Sequence, residues 1–123
     1  MLRNNIEQKR AEAAYEFAIR ANKQGNNYDS NAKKLPMYIL TNGLVNTLAF
    51  TYSKKDWKQL YEDITIWFKD KDPQDLIKDK FVNNKPLIEV VLSLNDVELR
   101  QVTNETLALF SWLRRFVKEE ENL

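Results

Sequence analysis

Apolar residues recur at a helical spacing over most of the chain. In the N-terminal segment they fall every three or four residues on one side, and charged residues gather on the other side. The apolar stripe consists of Ile6, Ala13, Ala14, Phe17 and Ala21. This pattern predicts an amphipathic helix that is capped by Asn4 or Asn5 and ended by the polar linker at residues 24–27. Arg10 lies within the stripe, and we expect its long side chain to reach solvent at the edge of the domain.

Two more amphipathic helices follow further along the chain. The central helix should stop at the polar turn of residues 70–73, and Pro73 suits the first turn of a short helix to about Phe81. The C-terminal helix keeps its spacing over five turns, and Asn95 or Asp96 would cap it. Its stripe consists of Leu99, Val102, Thr106, Leu109, Phe110, Leu113, Phe116 and Val117. The central stripe consists of Trp57, Leu60, Tyr61, Ile64, Trp67 and Phe68. We expect Trp57, Trp112 and Leu48 to be buried.

Residues 35–52 contain no charge, in a chain where 30% of residues are charged, so this run should be buried. Asp29 or Ser30 could cap a helix that leads into it. On pattern alone, residues 37–50 could also form a hairpin around Asn42 and Gly43, and residues 88–94 could be a strand or a helix. A membrane-spanning helix is disfavoured because the run holds proline, glycine and two asparagines.

Composition excludes most familiar active sites. The chain has 123 residues, enough for one domain over residues 1–123, and it contains neither histidine nor cysteine. Disulfides, the usual zinc sites, thiol nucleophiles and imidazole acid–base chemistry are therefore excluded. The two glycines, Gly25 and Gly43, are too few for a Walker or dinucleotide-binding loop. The net charge of +1 means that any nucleic-acid-binding surface must be local.

The uncharged run carries a recognisable motif. Residues 35–44 read Leu-Pro-x-x-Ile-Leu-x-Asn-Gly-Leu, and Leu-Ala-Phe follows at 48–50. This block closely resembles the small, all-helical subunit of type III-B (Cmr) CRISPR effector complexes. The Arg-Ala…Ala-Tyr pattern at 10–15 and the Trp-Leu-Arg-Arg-Phe ending at 112–116 extend the resemblance to nearly the whole chain. Val45 and Asn46 depart from the Gly-Gln that the family often has there.

The resemblance implies an all-α fold, a single-domain bundle of about five to six helices, and decides against the hairpin. It implies no catalysis, no cofactor and no metal. Such subunits stack in several copies beside the backbone subunits that hold the guide RNA, near the large subunit, and contribute basic surface to the path of guide and target RNA in antiviral defence. The family's signature positions would form core or subunit contacts: Pro36, Asn42, Gly43, Asn46 and Trp112.

If this segment is helical, Gly43 would let a neighbouring helix approach closely. Asn42 and Asn46 would lie one turn apart. If their amides are buried, they need hydrogen-bond partners, either backbone groups at a helix junction or a neighbouring subunit.

Basic residues form two candidate RNA-binding groups. On the C-terminal helix, Arg100, Arg115 and Lys118 share one face with Asn104 and Ser111, although basic residues in a last turn also complement the helix dipole. The second group brackets the uncharged run and consists of Lys33, Lys34, Lys54, Lys55 and Lys58. It would act as one surface only if the fold brings its two ends together.

Alternatives remain open at this stage. The chain could be a helical protein-interaction protein or a DNA-binding regulator that reads duplex DNA with Arg100, Asn104 and Arg115. It could also be the related small subunit of type III-A complexes. The aspartates at 70, 72, 75 and 79 alternate with lysines, which is typical of a solvated surface rather than a metal site. The charged N-terminal start lacks an apolar signal core, so we expect a cytoplasmic protein without a membrane partner.

Overall fold

The computed structural model describes residues 2–24 and 27–117. Over these residues the protein is built from helices, with no β-strand, so the all-α prediction is confirmed. The six α-helices are α1 (Leu2–Gln24), α2 (Tyr28–Asn42), α3 (Leu44–Ser53), α4 (Lys58–Ile66), α5 (Leu87–Leu92) and α6 (Asp96–Phe116). A 3-10 turn at Lys55–Trp57 precedes α4, and a π-helical turn at Trp67–Lys71 continues it. A second 3-10 turn covers Lys78–Lys80.

The two long helices, α1 and α6, form the most extensive helix pair, and α2 packs against α6 beside them. The predicted stripes supply the core between these helices. Phe17, Leu109 and Phe110 are buried there, as are Leu48 and Trp57 in the half built from α3 and α4. Burial of these side chains is the main stabilising contribution, since each fully buried large apolar side chain is worth about 1.5–3 kcal/mol.

Helix α6 begins as its sequence predicts. Asn95 is the N-cap, and its side chain accepts a hydrogen bond from the Glu98 N–H at 2.8 Å. The Glu98 carboxylate accepts one in return from the Asn95 N–H at 3.0 Å, which completes a capping box. This bond lowers the pKa of Glu98. By contrast, α1 begins at Leu2, upstream of the predicted caps Asn4 and Asn5, and α2 begins one residue before Asp29.

The uncharged run forms two helices joined at Gly43, which corrects the prediction for this glycine. Gly43 ends α2 and precedes α3 with φ +86° and ψ 160°, a region that only glycine adopts readily. Its N–H donates to the Ile39 carbonyl at 2.8 Å, and its own carbonyl accepts from the Thr47 N–H at 3.2 Å. A Cβ at this position would meet no atom within 4 Å, so the glycine does not permit a close helix approach. Its role is conformational.

Pro36 lies in the interior of α2 rather than in its first turn, where a proline is best tolerated. A proline in a helix interior removes one backbone hydrogen bond and costs about 3 kcal/mol. The helix is held nonetheless by buried side chains on both sides of the proline, among them Tyr28, Ala32, Leu35 and Ile39.

The predicted helix from Pro73 to Phe81 is wrong. Asp72 is buried, and its carboxylate accepts hydrogen bonds from the backbone N–H groups of Gln74 (2.9 Å) and Leu76 (3.2 Å). These bonds fold residues 72–77 into a turn, with Asp75 at φ +50°. The side chain therefore competes successfully with helix formation. The ambiguous segment at 88–94 lies largely in a helix, α5.

Two side chains on the α1–α6 pair also differ from expectation. Arg10 does not extend into solvent: it forms a two-pronged ion pair with Glu105, at 2.7 and 2.9 Å. Trp112 is half-buried rather than buried, because it lies at the outer edge of this helix pair. Its ring stacks on Phe116, and its indole N–H donates to the exposed carboxylate of Glu7 at 2.8 Å.

Candidate nucleic-acid interface

The fold brings Lys34 close to the lysines that follow α3. Asn31, one turn before Lys34 on α2, donates from its amide to the Asp56 carbonyl at 3.1 Å. Tyr38, one turn after Lys34, stacks on Trp57 with ring centroids 5.4 Å apart. Since Asn31, Lys34 and Tyr38 share one flank of the helix, Lys34 lies on the side of α2 that faces the Lys55–Trp57 turn.

An exposed aromatic ring lies within the same group. Tyr52, in the last turn of α3, is 43% exposed, and the ammonium of Lys58 lies 5.3 Å from its ring centroid. Lys54 and Lys55, on the segment between Tyr52 and Lys58, are exposed as well. We call this group the lysine surface: Lys34, Tyr52, Lys54, Lys55 and Lys58.

The lysine surface is basic on balance. Its four lysines form no ion pair with any residue in 2–24 or 27–117, whereas Lys71 and Lys80 elsewhere are held by Glu16 and Glu98 at 3.4 and 3.5 Å. Two exposed carboxylates, Asp56 and Glu62, lie on the same segment. Four lysines against two carboxylates leave a modest positive excess, which can attract phosphates at low ionic strength.

Lys33 is placed differently from Lys34. Successive residues of an α-helix are about 100° apart around the axis, so Lys33 points away from the flank that contacts the Lys55–Trp57 turn. It is half-exposed. The two ends of the bracketing group are thus brought together through Lys34 alone.

The basic face of α6 is exposed but extended. Arg100 and Arg115 share the solvent side with Asn104 and Ser111, and neither guanidinium forms an ion pair within the described part of the chain. A rise of 1.5 Å per residue puts the two arginines about 22 Å apart along the axis. Lys118, the third predicted member, lies outside the described residues.

The family signature forms a different kind of surface. Asn42, Gly43 and Asn46 are exposed, so the run is not buried here as predicted, and the side-chain amides of the two asparagines need no buried partners. Pro36 is half-buried. Two large apolar side chains earlier in α2 also face solvent, Met37 at 62% and Leu40 at 70% exposure. We call the exposed group the uncharged surface: Met37, Leu40, Asn42, Gly43 and Asn46.

Buried carboxylates serve the fold. Asp63 accepts hydrogen bonds from Arg20, Tyr28 and Gln59, and Glu105 accepts them from Arg10 and Gln74. Burial raises the pKa of Asp63 and, opposed by two backbone N–H donors, that of Asp72. Among the described residues no three such groups come close enough together to hold a metal ion.

The sequence prediction missed both Asp63 and Glu105, although a signal was present. Asp63 lies three residues after Leu60 and four before Trp67, and Glu105 has the same spacing between Val102 and Leu109. A carboxylate on an apolar stripe indicates a buried partner. Tyr52 was not among the residues singled out from the sequence, although it precedes the Lys54–Lys55 pair by two positions.

These features define a small all-helical domain whose exposed chemistry is a lysine surface, an arginine-bearing helix face and an uncharged surface. No helix in the described part of the chain has the length and apolar character that crossing a membrane requires. A family model described as CRISPR-associated protein (Cas_Cmr5) matches residues 6–120. The match covers nearly the whole chain, so the protein belongs to this family of type III-B Cmr complex subunits.

Proposed function

We propose that this chain is a non-catalytic structural subunit of a type III-B interference complex. It stacks in several copies along the path of guide and target RNA, beside the backbone and large subunits, and acts in cytoplasmic antiviral defence. Family membership supports assembly with other Cmr proteins. Two observations support an inert scaffold. The chain contains no histidine or cysteine, and its buried carboxylates Asp63 and Glu105 are used in ion pairs that hold helices together.

The lysine surface carries the RNA-binding part of the proposal. Lys34, Lys54, Lys55 and Lys58 are free of ion pairs within the described residues, so binding a phosphate breaks no existing contact of theirs with a carboxylate. One copy offers only a few phosphate contacts, but stacked copies hold several such surfaces on one RNA strand, which multiplies affinity. The spaced pair of Arg100 and Arg115 provides a second, weaker set of contacts in this account.

The uncharged surface is the contact for a neighbouring protein of the complex. Met37 and Leu40 are too exposed to stabilise the domain itself, and residues 35–52 contain no charge, so a partner that covers the two side chains removes no ion of this run from water. A Leu40→Glu variant should fold normally and fail to co-purify with the complex. Co-purification at the parent level would exclude this surface.

The test of RNA binding compares two charge-matched variants in the reconstituted complex. Changing Lys54, Lys55 and Lys58 to alanine should weaken target-RNA binding and flatten the plot of log affinity against log salt by about 0.7 for each phosphate that is no longer neutralised. The control changes Lys69, Lys78 and Lys85, which also form no ion pair in the described residues and lie on another segment, interleaved in part with aspartates. This control variant should keep the target-RNA affinity and the salt slope of the parent.

The α6 face is tested in the same way. Changing Arg100 and Arg115 to alanine should give a smaller loss than the lysine variant, because the two side chains are too far apart to hold neighbouring phosphates. If both variants bind target RNA like the parent and with an unchanged salt slope, neither surface lines the RNA path.

A further inference from the structure

We propose that Tyr52 is a base-stacking residue: one nucleobase of single-stranded RNA stacks on its ring while the neighbouring lysines hold the flanking phosphates. This inference rests on the proposed function and adds a residue to it that charge alone does not indicate. Stacking on an aromatic ring is available to every base, so it suits a subunit that binds RNA irrespective of sequence.

The ring of Tyr52 is exposed yet held in place. Its neighbour Tyr61 is buried, with ring centroids 5.1 Å apart and planes tilted by 57°. Tyr61 is itself fixed, because its hydroxyl accepts a hydrogen bond from the Ile88 N–H at 3.1 Å. Tyr52 therefore rests on an anchored ring while part of its own surface faces solvent, which reduces the entropy lost when a base stacks on it.

Lys58 now occupies one side of this ring. An exposed contact between an ammonium and an aromatic ring is worth only about a 2- to 5-fold change in an equilibrium. A stacked base is worth about 5- to 150-fold by alanine substitution. A base can therefore displace the ammonium, and the flexible lysine side chain can move to a phosphate of the same strand. The existing contact marks the face that the base would use.

The surroundings favour RNA over a protein as the occupant. Lys54 and Lys55 follow Tyr52 closely in the chain and are exposed without ion pairs among the described residues. Tyr15 is more exposed, at 54%, but it lies on a helix whose solvent side carries Glu12 and Glu16, which repel phosphates. Of these two exposed tyrosines, Tyr52 is the one whose ring has an ammonium in contact, that of Lys58 at 5.3 Å.

The experiment is an NMR titration of the full chain with a 12-nucleotide uridine oligonucleotide at low salt, which detects weak binding. Ring protons of Tyr52 should shift upfield as a base stacks on them. Tyr52→Ala should weaken binding about 5- to 150-fold without changing the salt slope, because no charge is removed. Tyr52→Phe should retain parent affinity. An abasic oligonucleotide of equal length should bind parent and Tyr52→Ala alike.

Three results would overturn the proposal. The first is a Tyr52→Ala variant that binds uridine RNA like the parent while a Lys54→Ala, Lys55→Ala variant binds more weakly; the RNA-binding function would then survive without stacking. The second is an equal loss on abasic RNA, which would assign Tyr52 a structural role. The third is no shift in parent spectra at any RNA concentration. Matching urea midpoints for Tyr52→Ala and Tyr52→Phe would show that folding is intact.

Discussion

Breaking the ion pair between Arg10 and Glu105 by removing one partner should strongly destabilise the fold, because the other charge would be left buried between the two longest helices, which the pair joins across 95 residues of sequence. The side chains of Arg10 and Glu105 are only 15% and 3% exposed. Removing one partner of a buried pair typically costs about 3–5 kcal/mol, since the other charge is left without compensation. Glu105 would keep one hydrogen bond, from Gln74 at 2.8 Å, so we expect Arg10→Ala to cost about 3 kcal/mol.

A double-mutant cycle isolates the interaction. Arg10→Met with Glu105→Leu removes both charges, and the pair of apolar side chains should recover most of the stability that either single change loses. Lys9→Ala is the matched control on the same helix: its ion pair with Glu12 spans 3.8 Å between side chains that are 58% and 63% exposed, so the loss should stay below about 1 kcal/mol.

Urea unfolding followed by circular dichroism measures these effects. The slope of unfolding free energy against urea is about 1–3 kcal/mol/M for small proteins, so a loss of 3 kcal/mol lowers the midpoint by at least about 1 M. The reasoning is refuted if Arg10→Ala unfolds at the parent midpoint, or if the double variant is as unstable as the sum of the two single variants. Either result would mean that solvent compensates Glu105 in the folded protein.

Three other positions give predictions that the same unfolding experiments check. Gly43→Ala should cost about 1–3 kcal/mol of stability through backbone strain alone, although its Cβ meets open space, whereas Asn46→Ala on the same surface should cost far less; equal urea midpoints would contradict this. Trp112→Ala should cost about 2 kcal/mol, less than Trp57→Ala, because Trp112 is only half-buried; the same melts would show it. The folded state binds the Asp63 proton more tightly than the unfolded state, because the pKa of Asp63 is raised in the fold. Stability should therefore decrease as pH rises from the ordinary pKa of 3.8 through the raised native pKa. Urea midpoints over this range should fall in the parent and fall less in Asp63→Asn.

The sequence predicted the features that depend on local spacing. The stripe of α6 and its N-cap are set by residues within a few turns of one another; the stripe was predicted correctly, and Asn95 is one of the two caps that were predicted. The turn after Asp72 was not predicted. It forms because the Asp72 carboxylate accepts hydrogen bonds from backbone N–H groups, and helical spacing does not reveal such bonds. The junction between α2 and α3 at Gly43 was not predicted, since a glycine is compatible both with a helix interior and with a helix junction.

Features that depend on distant parts of the chain could not be predicted from the sequence. Arg10 was predicted to reach solvent, because the sequence does not reveal that Glu105, on a helix near the other end of the chain, lies next to it. The approach of Lys34 to the Lys55–Trp57 turn likewise depends on packing of α2 against that turn through Asn31 and Tyr38. The basic residues could be named from the sequence, but their grouping could not.

Photo-crosslinking within the assembled complex tests the central claim most directly. A target RNA that carries 4-thiouridine at successive positions is bound to the complex, irradiated and digested, and the peptides attached to RNA are identified by mass spectrometry. The account predicts adducts on the segment that contains Tyr52, Lys54, Lys55 and Lys58, at several RNA positions because stacked copies meet the strand repeatedly. Adducts confined to other subunits, with none on this chain at any thiouridine position, would contradict its place along the RNA path.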